Sequence, residues 1–158
     1  MSKREQSISV DFVDIPFINQ TSLNELIGYA LRRAQMKVFQ NFVNHLSVHG
    51  LRPAQFSAMA IIEENPGLMQ ADLARALAIE PPQLVPLLNK LEARALAVRI
   101  RCKSDKRSYG IFLSRAGEQL LRDLKQVAMR SDIESTGALA EDERETLLKL
   151  LRKVYLDG

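Results

Sequence analysis

The stretch QADLARALAIEPPQLVPLLNKLEARALAVRIRCKSDKRSYGIFLSR, residues 70–115, decides the fold. Its first part reads as two short helices joined by a tight turn. Leu73, Leu77, Ile79, Leu84 and Leu87 recur at a spacing that lines the inner faces of two packed helices, and Ala74 is small enough to let them approach. The first helix runs from about Gln70 to Leu77. Ala78 stands in the turn, where glycine is more usual. Pro81-Pro82 open the second helix, because proline suits the first helical turn, and it ends near Ala95. This helix presents Gln83, Val85, Pro86, Asn89 and Lys90 on or near its outer face. Two strands follow. Leu96 to Lys103 alternates, with Val98 and Ile100 expected on a buried face and Arg99, Arg101 and Lys103 on the other. Ser104 to Ser108 is polar and turn-like, and Tyr109 to Leu113 returns as the second strand.

The charge of the chain is concentrated in the same place. Residues 1–89 are net −1 and residues 116–158 net −2, whereas residues 90–115 are net +6. Lys90, Arg94, Arg99, Arg101, Lys103, Lys106, Arg107 and Arg115 supply that excess against Glu92 and Asp105. Charge alone is most simply a solvated face. A helix pair, a hairpin and a positive maximum within one segment point instead to a polyanion, with double-stranded DNA as the expected partner. The second helix fits the major groove, where Gln83, Asn89 and Lys90 would meet base edges or phosphates. The thin basic hairpin, with Arg101, Lys103, Asp105, Lys106, Arg107 and Ser108, would enter a minor groove or grip phosphates. Asp105 is expected to pair with Arg107 and fix its direction.

Outward from this segment the chain is helical. Residues 1–21 contain Pro16 and read as an extended arm. Ser22 and Glu25 have the spacing of a capping box, opening a helix from Leu23 to about Val48 that Gly50 stops. A second helix begins at Pro53 and ends at Asn65-Pro66-Gly67. After the hairpin, Ser114 caps a helix of roughly 115–133, and Glu141-Asp142-Glu143 open a last helix to about 156. The expected order is four helices, a hairpin and two helices: mostly α with a small β-hairpin. The 158 residues suffice for a core without staples, and one cysteine excludes an internal disulfide. The absence of an apolar span or signal-like start suggests no membrane association and a cytoplasmic location.

Leu73-Ala74-Arg75-Ala76-Leu77 and Leu84 to Leu96 resemble the DNA-binding core of the MarR family of winged helix-turn-helix regulators. Asp105-Lys106-Arg107-Ser108 followed by Leu113-Ser114-Arg115-Ala116-Gly117 is similar to that family's wing signature, D-x-R-S then L-[ST]-x-x-G. The resemblance covers nearly the whole chain. It implies a homodimer in which residues 22–52 and 114–158 interlock and residues 53–113 form the winged domain. Two such domains meet a palindromic operator, and a small molecule releases the repressor. The long amphipathic helices independently favour pairing, since a lone subunit would expose their apolar faces. The chain departs from the family at three points. Pro86 replaces the Ala, Thr or Arg often found there, Ala95 stands for a usual Gly, and the wing turn lacks its Pro. Pro86 should bend the helix rather than break it, since it costs one hydrogen bond and crowds the carbonyl of Pro82.

In this family the effector lies between the dimer helices and the winged domain, and aromatic acids are common ligands. Tyr29, Arg32, Arg33, Met36, Phe56 and Met59 are the candidate lining for an anionic aromatic compound or its CoA thioester. Each has a plainer reading, since Met and Phe at helical spacing usually form core. His45 and His49, four residues apart, have the spacing of a zinc pair but no further ligand nearby, so no metal or other cofactor is expected. Cys102 lies between Arg101 and Lys103 but should turn toward the Val98–Ile100 face as a packed residue. No nucleophile elbow, P-loop, dinucleotide fingerprint or zinc-protease motif occurs, so an enzyme is not expected. A winged-helix module for an acidic protein partner and a metal-responsive regulator are the alternatives to a ligand-responsive repressor.

Overall fold

A computed structural model describes residues 21–156. The expected arm, residues 1–21, lies almost wholly outside them. Chain contacts divide after Ala34, and the two parts are described separately.

Before Gln35 there are a short helix α1, Thr21–Asn24, and the beginning of α2, Ile27–Ser47. The single helix expected from Leu23 is therefore two. The Leu26 N–H bonds back to the Leu23 carbonyl at 3.0 Å, a three-residue reach that closes the first turn before the next helix starts. Ser22 thus sits within α1 and does not cap α2.

From Gln35 onward the rest of α2 is followed by α3 (Pro53–Glu64), β1 (Leu68–Met69), α4 (Gln70–Ala76), α5 (Pro81–Ala93), β2 (Ala97–Arg101), β3 (Tyr109–Leu113), α6 (Arg115–Ser135) and α7 (Glu141–Leu156). The three strands form an antiparallel sheet in the order β1-β3-β2. Leu68 pairs with Ile111, and Ala97 with Leu113. Strand β1, absent from the expected order, has only two residues, too few to show a period.

Leu46, Met59, Ile62, Leu73, Leu84, Leu88, Leu91, Ile111, Leu121 and Leu124 form one continuous, essentially solvent-free core. Each such side chain contributes about 1.5–3 kcal/mol on burial. Every element from α2 to α6 except the two-residue β1 and the edge strand β2 supplies at least one of these ten. The winged segment is thus built onto the same core as its helical flanks.

Three helices end alike. Gly50, Ala78 and Ala95 have φ of 67°, 52° and 54°. In each case the next residue's N–H reaches back five residues: Leu51 to Leu46 at 3.2 Å, Ile79 to Ala74 at 3.1 Å, and Leu96 to Leu91 at 2.9 Å. Gly50 fits this left-handed turn freely, whereas the two alanines adopt it against a steric cost.

Candidate functional site

Helix α5 is positioned by its inner face. Leu84, Leu88 and Leu91 of α5 are at most 1% exposed, at a spacing that places one row in the core. Gln83, Val85, Pro86, Asn89 and Lys90 are all exposed, as their positions in the sequence imply. The helix runs through Pro86 from Pro81 to Ala93. At its start, the Glu80 backbone N–H donates to Gln83 Oε1 at 3.1 Å.

The wing is tied to this helix by a contact that the sequence reading missed. Arg99 donates from Nε and Nη2 to the two carboxylate oxygens of Glu92 at 2.8 and 2.7 Å. Its Nη2 also donates to Asn89 Oδ1 at 3.0 Å. The paired geometry gives direction as well as charge. Hydrogen bonding to Glu92 raises the Arg99 pKa above its already high ordinary value, so the cation is permanent. This pair reverses the expected strand orientation. Ala97 is buried and Arg99 half-buried, whereas Val98 and Ile100 are 42% and 52% exposed. Alternation was correct, but the arginine side turns inward because Glu92 waits beneath it. Arg99 follows Glu92 by seven positions, and that opposite-charge spacing across a helix–strand turn is the available signal.

The wing tip is closed by Asp105. Its Oδ1 accepts the Arg107 backbone N–H at 2.9 Å, and its Oδ2 accepts the Ser108 hydroxyl at 2.7 Å. The Ser108 bond, then the Arg107 bond, holds the Asp105 pKa below the usual carboxylate range. Asp105 therefore shapes the turn through the Arg107 backbone, in place of the side-chain pairing expected from the sequence. Lys103, Lys106 and Arg107 are exposed around that turn. Arg101 donates to the Tyr109 hydroxyl at 2.8 Å with its guanidinium 5.4 Å from the ring centre. Lys90 on the helix and Arg101, Lys103, Lys106 and Arg107 on the wing are all exposed.

A cleft of about 750 Å³ lies on the other flank of α5. Phe39, Val43, Leu51, Pro53, Pro86 and Leu87 give it apolar walls, and Arg52, Gln83 and Lys90 add polar groups. Its volume is in the range of small-molecule sites. Neither Phe56 nor Met59 lines it. Met59 is fully buried in the core, and the Phe56 ring meets Phe42 edge-on at 5.3 Å. These two expected effector contacts are core residues, the plainer of their two readings. Met36 is 38% exposed. Tyr29, Arg32 and Arg33 precede Gln35, where the Arg33 guanidinium donates to the Tyr29 hydroxyl at 3.1 Å.

His45 Nε2 is 2.6 Å from Glu134 Oε2, which gives this histidine a role between α2 and α6. Among the described residues no three His, Cys, Asp or Glu side chains gather as a metal-binding group. Cys102 is half-buried, and its backbone N–H closes the wing onto the Ser108 carbonyl at 2.8 Å. No described helix is long and apolar enough to cross a membrane.

A sequence profile of the MarR family matches residues 49–108. A protein assigned to transcriptional regulation of the hcr operon in Thauera aromatica is 33% identical over 130 residues, covering 82% of this chain and 78% of that one. The chain belongs to the MarR family. Its fold is that of the family's solved regulators. The transcriptional repressor CouR bound to a 23-mer DNA duplex superposes with a TM-score of 0.82 at 38% identity, over 88% of this chain and 99% of that chain. CouR bound to p-coumaroyl-CoA gives 0.76 at 35% identity, over 87% and 97%. A MarR-family protein of Mycobacterium tuberculosis in complex with salicylic acid gives 0.69 at 26% identity, over 82% and 96%. The chain is therefore a MarR-family transcriptional regulator with a winged helix of the DNA-binding type. Its family is one of regulators rather than enzymes.

Proposed function

We propose that this regulator is a homodimeric repressor that a small anionic aromatic compound releases from a palindromic operator. The observation that carries the reading is the double position of α5. Its exposed row carries Asn89 and Lys90 toward solvent beside the basic wing, while Gln83, Pro86 and Lys90 also border the 750 Å³ cleft. An occupant of the cleft would touch the helix that enters the major groove. Lys90 in particular would be drawn to either anion, a DNA phosphate or the carboxylate of the effector.

In this reading Gln83, Asn89 and Lys90 contact the major groove. Arg101, Lys103, Lys106 and Arg107 contact phosphates or the minor groove, with Asp105 and Ser108 shaping the wing. The effector lies among Phe39, Val43, Pro86 and Leu87, with its charged end toward Arg52 or Lys90. That lining suits an aromatic acid or its CoA thioester, and the CouR complex with p-coumaroyl-CoA supports the same class. Pairing of two chains is supported by α7, which buries none of its side chains and leaves Leu148, Leu150, Val154 and Tyr155 at least half exposed. Such a surface favours covering by a second copy. In a palindromic complex the two recognition helices would sit about one DNA turn apart. The effector then acts by preferring a dimer whose helix spacing no longer matches.

A mobility-shift titration on the DNA upstream of the chain's own coding region tests the reading. Binding to one fragment over competitor, reversed by an aromatic acid or its thioester, is the expected result. Binding that ignores sequence, or a specific complex untouched by a panel of such compounds, refutes the corresponding half. Linkage adds a check: DNA must weaken effector binding by the same factor by which effector weakens DNA binding.

A further inference from the structure

The outward face of α5 is apolar where a recognition helix would be expected to be polar. With Leu84, Leu88 and Leu91 in the core, helical spacing turns Pro82, Pro86 and Asn89 away from it, with Val85 beside them. All four are exposed, Val85 at 41%. Pro82, Val85 and Pro86 carry no polar side-chain atom. Between Pro81 and Leu87, the half of the helix that would meet base edges, the only exposed polar side chain is Gln83, and it borders the cleft. An exposed apolar row suits many partners, and its surroundings narrow the choice. Lys90 on the same helix and Lys103, Lys106 and Arg107 on the wing are exposed cations. A polyanion that also displays apolar groups matches both features, and the DNA major groove is such a surface.

Base edges in that groove present hydrogen-bonding groups with one apolar exception, the C5-methyl of thymine. We infer that Val85 and Pro86, with Pro82 beside them, read thymine through this methyl group. The preferred DNA sites then carry thymine at the position these side chains face. The residue types suit the task. Proline loses no side-chain freedom when its ring is covered, and branching at Cβ leaves valine few rotamers to lose. In this reading Pro86, which removes one hydrogen bond from the helix, supplies part of the contact surface. The inference rests on the proposed DNA-binding role of α5.

The test begins with selection of a bound duplex from a randomised library by the full-length protein. Each thymine of that duplex is then replaced, one at a time, by deoxyuridine, which removes the methyl and keeps the base pairing. At one position or more the wild-type protein should lose roughly fourfold in affinity, the value of burying one methyl group. Cytosine there should bind more weakly than thymine, and 5-methylcytosine should bind roughly fourfold better than cytosine. In the double variant Val85→Ala with Pro86→Ala, the ratio between thymine and uracil duplexes should fall toward one. Alanine is the better helix former at both exposed sites, so the variant keeps its fold. Three results overturn the inference: a selected site without thymine, a scan in which no methyl matters, and a methyl effect that the double variant retains in full. A wild-type protein that enriches no sequence overturns the DNA-binding reading itself, and this inference with it.

Discussion

Gly117 sits in the first turn of α6, where the wing rejoins the helical body, and its replacement by alanine gives a prediction whose sign is decided by geometry. A Cβ built on Gly117 would lie 2.0 Å from the Leu96 carbonyl oxygen, against 3.4 Å or more for an ordinary contact. The helix start must move by about 1.4 Å to admit it. That junction is held by three hydrogen bonds: Ser114 N–H to the Leu96 carbonyl at 3.0 Å, the Ser114 hydroxyl to the Ala95 carbonyl at 2.5 Å, and Gly117 N–H to Ser114 Oγ at 3.0 Å. A shift of that size breaks or strains all three, each contributing about 1 kcal/mol net. Alanine returns about 1 kcal/mol through its better helix propensity. The net loss is about 2 kcal/mol, which for a chain of this size lowers Tm by roughly 4–8 °C. Thermal unfolding of wild type and Gly117→Ala at one fixed protein concentration measures it, since any dimer makes Tm concentration-dependent. Gly→Ala in a helix with open space is stabilising. An unchanged or higher Tm would therefore refute the close approach of α6 to Leu96. The glycine of the L-S-x-x-G signature is thus a packing requirement, and the serine before it is the cap.

Four further outcomes follow from the geometry. Ala78→Gly and Ala95→Gly should each stabilise by about 0.5–1 kcal/mol in urea unfolding, because relief of the left-handed strain exceeds the added freedom of the unfolded chain; destabilisation would show that these turns relax in solution. Asp105→Ala should weaken DNA binding with little change in Tm, since it opens an exposed turn; equal loss of both would place Asp105 in the fold instead. Arg107→Ala should lower the slope of log affinity against log salt by about 1, and an unchanged slope would remove it from the phosphate contacts. The His45 hydrogen bond, the largest cause, depresses the Glu134 pKa below 4.5. Its stabilisation is present above the unfolded value and lost as pH falls through the lower folded one. Glu134→Gln should flatten the pH dependence of stability below about pH 4.5, read from urea midpoints across that range.

The order of elements was legible because long apolar periods and punctuating residues carry it. Pro53 opens α3, Pro81 opens α5, Gly50 ends α2 and Ser114 caps α6, each where its local chemistry requires. What escaped the sequence depends on neighbours distant along the chain or on spacings too short to resolve. Two-residue β1 exists because β3 offers it Gly110 and Ile111 to pair with. The strand β2 alternates as expected, yet period alone cannot say which side faces in. An arginine is ordinarily assigned to solvent, and Arg99 turns inward because Glu92 satisfies it. The same limit explains the effector residues. Phe56 and Met59 have a helical spacing that serves a core and a pocket equally, and only the packing partners distinguish them. The cleft is assembled from α2, the turn after it, α3 and α5, so no single stretch of sequence displays it.

The bond network between wing and helix also bears on how an effector would act. Arg99 fastens β2 to Glu92 and Asn89 of α5. The cleft borders α5 on the side of Gln83, Pro86 and Lys90. A tilt imposed there would be passed to the wing through this half-buried ion pair. Severing that bridge separates two routes of release. If the effector tilts helix and wing as one body, Glu92→Gln, which weakens the link while keeping a hydrogen-bonding side chain, should leave effector affinity intact. It should also reduce the factor by which effector weakens DNA binding. If the effector only competes for Lys90, the coupling factor should be unchanged in Glu92→Gln and abolished in Lys90→Ala. Coupling is reciprocal, so effector titrations with and without DNA supply the factor for each variant.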